Sequence, residues 1–197
     1  MRSFTWVKEH GAEYAELTVG HGELRISGVA VDADPLPCRL DYELDCGPDR
    51  YVTRRLSVHV RGACWARHLV LERDPRGEWL IQASADGEPG PPGLPAPGGD
   101  AAALSGALDC DLGECPVTNT MPVLREGLLS GGSAELTAAF VSVPDLAVRP
   151  ARQRYTYLSS GTDGSSVIRY QSGAFTADVT FSPEGLVTSY PRLGRLA

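Results

Sequence analysis

Apolar and polar residues alternate along this chain with a period of two, and that pattern leaves few folds open. Cys38, Leu40, Tyr42, Leu44 and Cys46 interleave with Arg39, Asp41, Glu43 and Asp45. Successive side chains of a strand point to opposite faces, so this run is a half-buried strand with one wet face. Phe175, Ala177, Val179 and Phe181 repeat the pattern against Thr176, Asp178, Thr180 and Ser182. Val52, Arg54, Leu56, Val58 and Val60 form a third row, which sets Arg54 inward among apolar neighbours. Further strands are expected near Phe4–Lys8, Tyr14–Val19, Glu23–Asp32, Ala66–Arg73, Glu78–Ala83, Ala134–Val143, Arg152–Leu158 and Ser166–Gln171.

Turn residues punctuate these runs. Gly20-His21-Gly22, Cys46-Gly47-Pro48-Asp49, Gly131-Gly132, Asp163-Gly164 and Pro183-Glu184-Gly185 separate consecutive strands. Asp74-Pro75-Arg76-Gly77 has proline second and glycine fourth, as a type I turn prefers. Short strands joined by such turns predict an antiparallel meander. No stretch shows a sustained helical period with caps. Asp100–Leu108 can form one helical turn, weakened by Gly106. The reading is an all-β fold in a single domain over residues 1–197. Glu88–Asp100, EPGPPGLPAPGGD, is too rich in proline and glycine for helix or central strand and is expected as an exposed connection.

The net charge of −7 argues against nucleic acid and gives no sign of attraction to an acidic membrane. Among 18 basic residues only Lys8 is lysine, so a cation in a pocket is expected to be a guanidinium. No run approaches the roughly 18 apolar residues of a membrane span, and the first residues lack a signal-peptide core. A cytoplasmic location is the expectation. The five cysteines contain no CxxC pair and are expected as free thiols, several of them buried.

The most unusual text is Leu108–Arg125, LDCDLGECPVTNTMPVLR. Alternation puts Leu108, Cys110 and Leu112 on one face and Asp109 and Asp111 on the other. The two carboxylates, roughly 6–7 Å apart along a strand, have three readings. They pair with arginines or cap a turn, they meet a sugar or head group, or they act as acid and base. No metal site is suggested, because neither a dense acidic loop nor a neighbouring histidine is present. Val117, Asn119, Met121 and Val123 are expected to share a face, with Asn119 interrupting the apolar row. Thr118, Asn119 and Thr120 suit either a hydroxyl-rich ligand or a proline-flanked bulge that bonds its own backbone. An inward Arg54 needs a partner, which is Asp109, Asp111 or a ligand anion. Arg125 is similar but less constrained. Gln153, Tyr155, Tyr157, Tyr190, Trp6 and Trp79 supply amide and aromatic surface that stacks on sugars or fills a core.

LDxDL followed by PxTNTxP and an arginine resembles the signature of a bacterial family described as putative glycolipid-binding. Trp6, LDYEL with Tyr42, Thr53-Arg54, Trp79, Pro144 with Leu146, Gln153 with Tyr155-Thr156, Gly173 with Phe175, and Gly185-Leu186-Val187 followed by Tyr190-Pro191 match in order. The resemblance spans nearly the whole chain. Leu124 and Glu126 depart from it where a second arginine and an apolar residue are expected. It implies a many-stranded meander wound into a β-roll or half-barrel, in one form built of two similar sheet units. It also implies a non-enzymatic carrier of an amphiphile, a lipid or glycolipid, without cofactor. The expected ligand contacts are Arg54, Asp109, Asp111, Thr118, Asn119, Thr120, Arg125, Gln153 and Tyr155. Two alternatives stand beside it: a sugar or lipid hydrolase or isomerase using Asp109 and Asp111, and a homodimeric interaction protein.

Overall fold

The computed structural model describes residues 1–34, 36–48, 50–87 and 94–197. The described chain is a single sheet of 14 strands, all neighbours antiparallel except one pair, and the sheet does not close. β1 (Arg2–Val7), β2 (Gly11–Val19), β3 (Leu24–Asp32), β4 (Cys38–Cys46), β5 (Thr53–Arg61), β6 (Trp65–Arg73) and β7 (Trp79–Gly87) run as one meander. β9 (Ser133–Val141), β10 (Val148–Ser160), β11 (Ser166–Ser172), β12 (Phe175–Phe181), β13 (Val187–Tyr190) and β14 (Gly194–Leu196) run as a second. Pairing of β1 with β14, Trp6 opposite Leu196, joins the two. β8 (Asp109–Leu112) lies parallel to β9 at the far edge. Seven strands stand on each side of the β1–β14 seam, an arrangement in keeping with the expected all-β meander of two sheet units.

The segment between β7 and β9 leaves the meander and fills the inside. Leu104, Ala107, Cys110, Leu112, Val117 and Met121 pack with the inward residues of β1–β6, among them Trp6, Leu24, Leu44, Leu56 and Leu69. Val123 and Leu128 pack with Tyr155, Ile168, Val179 and Phe181 of the second half. One face of both halves meets the same segment, so the sheet curves around it. The stretch singled out in the sequence is therefore the plug of the fold.

Two expectations for this region change. Residues Val117–Val123 are not a strand row with one apolar face. Pro116–Asn119 is a 3-10 turn with Pro116 in its first turn, and α1 (Thr120–Arg125) follows directly. Proline fits the first turn of a helix, where the missing N–H would have no partner. Pro116 and Pro122 both stand in such first turns, and Val117 through Val123 are all buried. Nor does Arg54 point inward. The register slips between Asp45↔Arg55 and Cys46↔Thr53, which leaves Arg54 as the extra residue of a bulge. Thr53 turns in instead, where its N–H donates to Leu108 O at 3.0 Å and its Oγ1 accepts from Cys110 N at 3.1 Å. Arg54 swings out, its side chain 59% exposed.

The helical turn expected in Asp100–Leu108 forms at Ala101–Leu104, with Asp100 accepting from Ala102 N at 3.0 Å. Of the stretch 88–100, residues 88–93 lie outside the described residues, as does Asp49 of the turn after β4. Gly98 is tied to the second half through Leu146 O and Val148 N. β13 and β14 are too short to show a period and have no signal in the sequence.

All five cysteines, each among the described residues, are free thiols. Burial pushes Cys46 and Cys115 well up and Cys110 up to about 12. A water-soluble disulfide reagent at pH 8 is therefore expected to label Cys64, which is exposed, at once and half-buried Cys38 more slowly. The remaining three should react only after unfolding. Rapid release of five equivalents from the native protein would contradict this packing.

Candidate functional site

β8 divides its carboxylates between two surroundings. Cys110 and Leu112 face the core, as alternation requires, and Asp109 and Asp111 face the other way. Asp109 is held by the fork of Arg125, whose Nη2 donates to Oδ2 at 2.6 Å while Nη1 bonds Oδ1. Both side chains are 2% exposed, and Arg125 Nε also donates to Glu126 Oε1 at 2.9 Å. Burial raises the Asp109 pKa, against the guanidinium, which lowers it. The ion pair foreseen for Arg54 is made by Arg125 instead, because α1 carries Arg125 back over β8.

Asp111 sits in a neutral network. Gln153 Nε2 donates to its Oδ2 at 2.6 Å, Thr118 Oγ1 lies 3.3 Å from its Oδ1, and the Tyr170 hydroxyl is 3.5 Å away. Burial is the largest influence on its pKa and raises it, while these three donors oppose the rise. Behind them the Tyr155 hydroxyl stands 3.0 Å from Asn119 Oδ1 and 3.2 Å from Gln153 Oε1. Asn119 in turn donates to Pro116 O at 3.3 Å. The 3-10 turn places Thr118 and Asn119 toward Asp111, while β10 supplies Gln153 and Tyr155 from one face at positions two apart.

A pocket of about 360 Å³ opens beside this network, with Asp111 and Asn119 among the residues lining it. Tyr170, Phe175 and Tyr190 form an aromatic wall, with ring centres 6.0–6.4 Å apart. Phe140, Arg149 and Arg192 line it as well. Burial raises the Tyr170 pKa, and the nearby Asp111 charge adds to the rise. A carboxylate that accepts, an amide, and ring faces are the groups that recognise a hydroxyl-rich ring.

The nine residues picked from the sequence separate into three groups. Asp111 and Asn119 line the pocket. Thr118, Gln153 and Tyr155 are buried behind them and hold them in place. Asp109, Arg125, Arg54 and Thr120 do not line it. Arg54 and Arg125 border another cleft, and Thr120 is 1% exposed with its hydroxyl unpartnered. An acid–base pair of Asp109 and Asp111 in one cleft is thereby not formed, since Arg125 occupies Asp109. Sequence reasoning missed Tyr170, Arg149 and Arg192. The hairpin register that sets Tyr155 opposite Tyr170 was the available signal for the first.

A crystal structure of a DUF1089 family protein from Pseudomonas aeruginosa superimposes with a TM-score of 0.67 at 29% identity. The match covers 93% of this chain and 91% of that one. No curated protein matches the chain in sequence. The model of the family described as putative glycolipid-binding matches residues 3–195, essentially the full sheet and its plug. The chain belongs to that family.

Proposed function

We propose that the protein binds the hydroxyl-rich head group of an amphiphile, a glycolipid or similar lipid, in the pocket over Asp111. The observation that carries this is the pairing of a network-held carboxylate with an aromatic wall in one pocket. Asp111 and Asn119 accept and donate to sugar hydroxyls, and Tyr170, Phe175 and Tyr190 cover the ring's C–H face. Thr118, Gln153 and Tyr155 act as positioning residues. The family description supports the ligand class. Because the inside of the sheet is filled by Val117, Met121, Val123 and Leu128, an acyl chain leaves by the pocket mouth rather than entering the core. Residues 1–197 act as one binding unit, and the free thiols suit a reducing, cytoplasmic setting. Among the described residues no helix is long and apolar enough to cross a membrane.

Titration calorimetry with octyl glucoside below its micelle concentration tests the reading. Asp111→Asn is expected to weaken binding about tenfold or more, the value of a hydrogen bond to a charged acceptor. Arg54→Leu, at a different cleft, should leave it unchanged. A protein that carries no extractable lipid by native mass spectrometry and ignores octyl glucoside would refute the proposal.

A further inference from the structure

Two turns border the pocket, and each puts a charged residue where glycine would be easier. In Tyr190-Pro191-Arg192-Leu193 the Leu193 N–H donates to Tyr190 O at 3.0 Å, and Arg192 has φ +69°. In Leu112-Gly113-Glu114-Cys115 the Cys115 N–H donates to Leu112 O at 3.2 Å, and Glu114 has φ +63°. Third positions with φ > 0 favour Gly or Asn, and other residues there are strained. Residues strained in this way cluster at ligand clamps and switch regions. Glu114 has a partner, since Lys8 Nζ is 3.9 Å from its Oε2. Arg192 is exposed and lines the pocket with no carboxylate within salt-bridge distance among the described residues. Arg149 is in the same position. Its guanidinium lies over the Phe140 ring at 4.7 Å, so the ring fixes it against the pocket wall. A shallow neighbouring pocket shares Tyr190 and Arg192 and adds Glu9 and Arg195.

We infer that the ligand's head group carries a phosphate or similar oxyanion, held by Arg149 and Arg192 at the mouth while its hydroxyls reach Asp111. The planar, always-charged guanidinium suits an oxyanion, and these two stand on one pocket, where they offset the carboxylates of Asp111 and Glu114. This inference rests on the proposed pocket. It adds the chemical class of the ligand.

The test compares glucose 6-phosphate, glucose and inorganic phosphate by calorimetry, with octyl glucoside as the reference for the pocket itself. Glucose 6-phosphate should bind at least about tenfold tighter than either glucose or phosphate, with the advantage shrinking as salt rises. Arg149→Leu and Arg192→Gly should each remove most of that advantage, bringing glucose 6-phosphate close to glucose. Arg192→Gly should also raise Tm, because glycine relieves the turn, so loss of the phosphate preference would not reflect damage to the fold. Sedimentation with phosphatidylcholine vesicles containing phosphatidylinositol would identify the source as a lipid. Binding of glucose 6-phosphate without vesicle binding would identify a soluble ligand, and both outcomes support the inference. Equal binding of glucose and glucose 6-phosphate overturns it while sparing the pocket, provided octyl glucoside binds. Inorganic phosphate binding as tightly as glucose 6-phosphate overturns it too. Failure of octyl glucoside and all three probes overturns the pocket reading as well.

Discussion

Replacing Arg125 with methionine is expected to lower the free energy of unfolding at pH 7 by about 3–5 kcal/mol. Arg125 and Asp109 are both almost fully buried and joined by two hydrogen bonds, so removal of the guanidinium strands a carboxylate out of water. The stranded group has one escape, which is to take up a proton, and burial already drives it that way. The loss should therefore shrink as pH falls. Removing both partners, with Asp109→Leu and Arg125→Met together, should recover most of it, because an apolar pair of similar volume needs no desolvation of charge. Urea unfolding followed by the fluorescence of Trp6, Trp65 and Trp79 reads all three variants and yields the coupling by a double-mutant cycle. A single-variant loss under about 1 kcal/mol would mean that the pair behaves like a surface ion pair.

Glu13 should dominate a second measurement. It is 0% exposed on β2, on the same face as Ala15 and Leu17, and its Oε2 has no partner among the described residues. Its Oε1 is bonded by the Tyr42 hydroxyl, which reaches across β3 from β4. The crossing is possible because Gly28 lies opposite Tyr42, and a Cβ there would stand 2.3 Å from the ring. Lys8, paired with Asp32, and the Cys115 thiol are the other titratable groups around it. Burial lifts Glu13 from 4.5 to about 7, against the Tyr42 hydrogen bond and the Lys8 charge, which lower it. The folded state then holds a proton that the unfolded state has released between pH 4.5 and 7. Stability from this group is full below pH 4.5, falls as pH rises to about 7, and is flat beyond. The whole step amounts to roughly 3 kcal/mol. Glu13→Gln keeps the contact with Tyr42 and cannot ionise. It should remove this slope and make the protein more stable than the parent at pH 8. Asp109, Asp111 and Glu114 are also raised, so the quantity to read is the difference between parent and variant across pH 4–9. Parallel curves would show that Glu13 is solvated.

Several features of this molecule are legible in its sequence. The alternation at Cys38–Cys46 matches β4 at both ends, and the row from Phe175 to Phe181 matches β12. Asp109 and Asp111 do stand opposite Cys110 and Leu112. These depend on a strand's period of two, which acts between near neighbours and survives whatever the sheet does next. Glu13 was legible too, as a charge in an apolar row, although the sequence reading passed over it.

The partners of those residues were not legible, because each choice depends on groups that the chain brings together only after closing long loops. A one-residue bulge at Arg54 reverses its side chain, and no local pattern distinguishes a bulge from a regular strand. The turn at Pro116–Asn119 and α1 convert an apparent strand row into the plug, and so give Asp109 to Arg125. The pocket joins Asp111 on β8, Tyr170 on β11 and Arg192 after β13, residues with no shared local signal. Sequence alone set the class and most of the longer strands with their wet and dry faces, because these follow from the backbone's own geometry. Tertiary structure decided which carboxylate is buried in an ion pair and which lines a pocket, because burial and pairing belong to the packed sheet and not to any one strand.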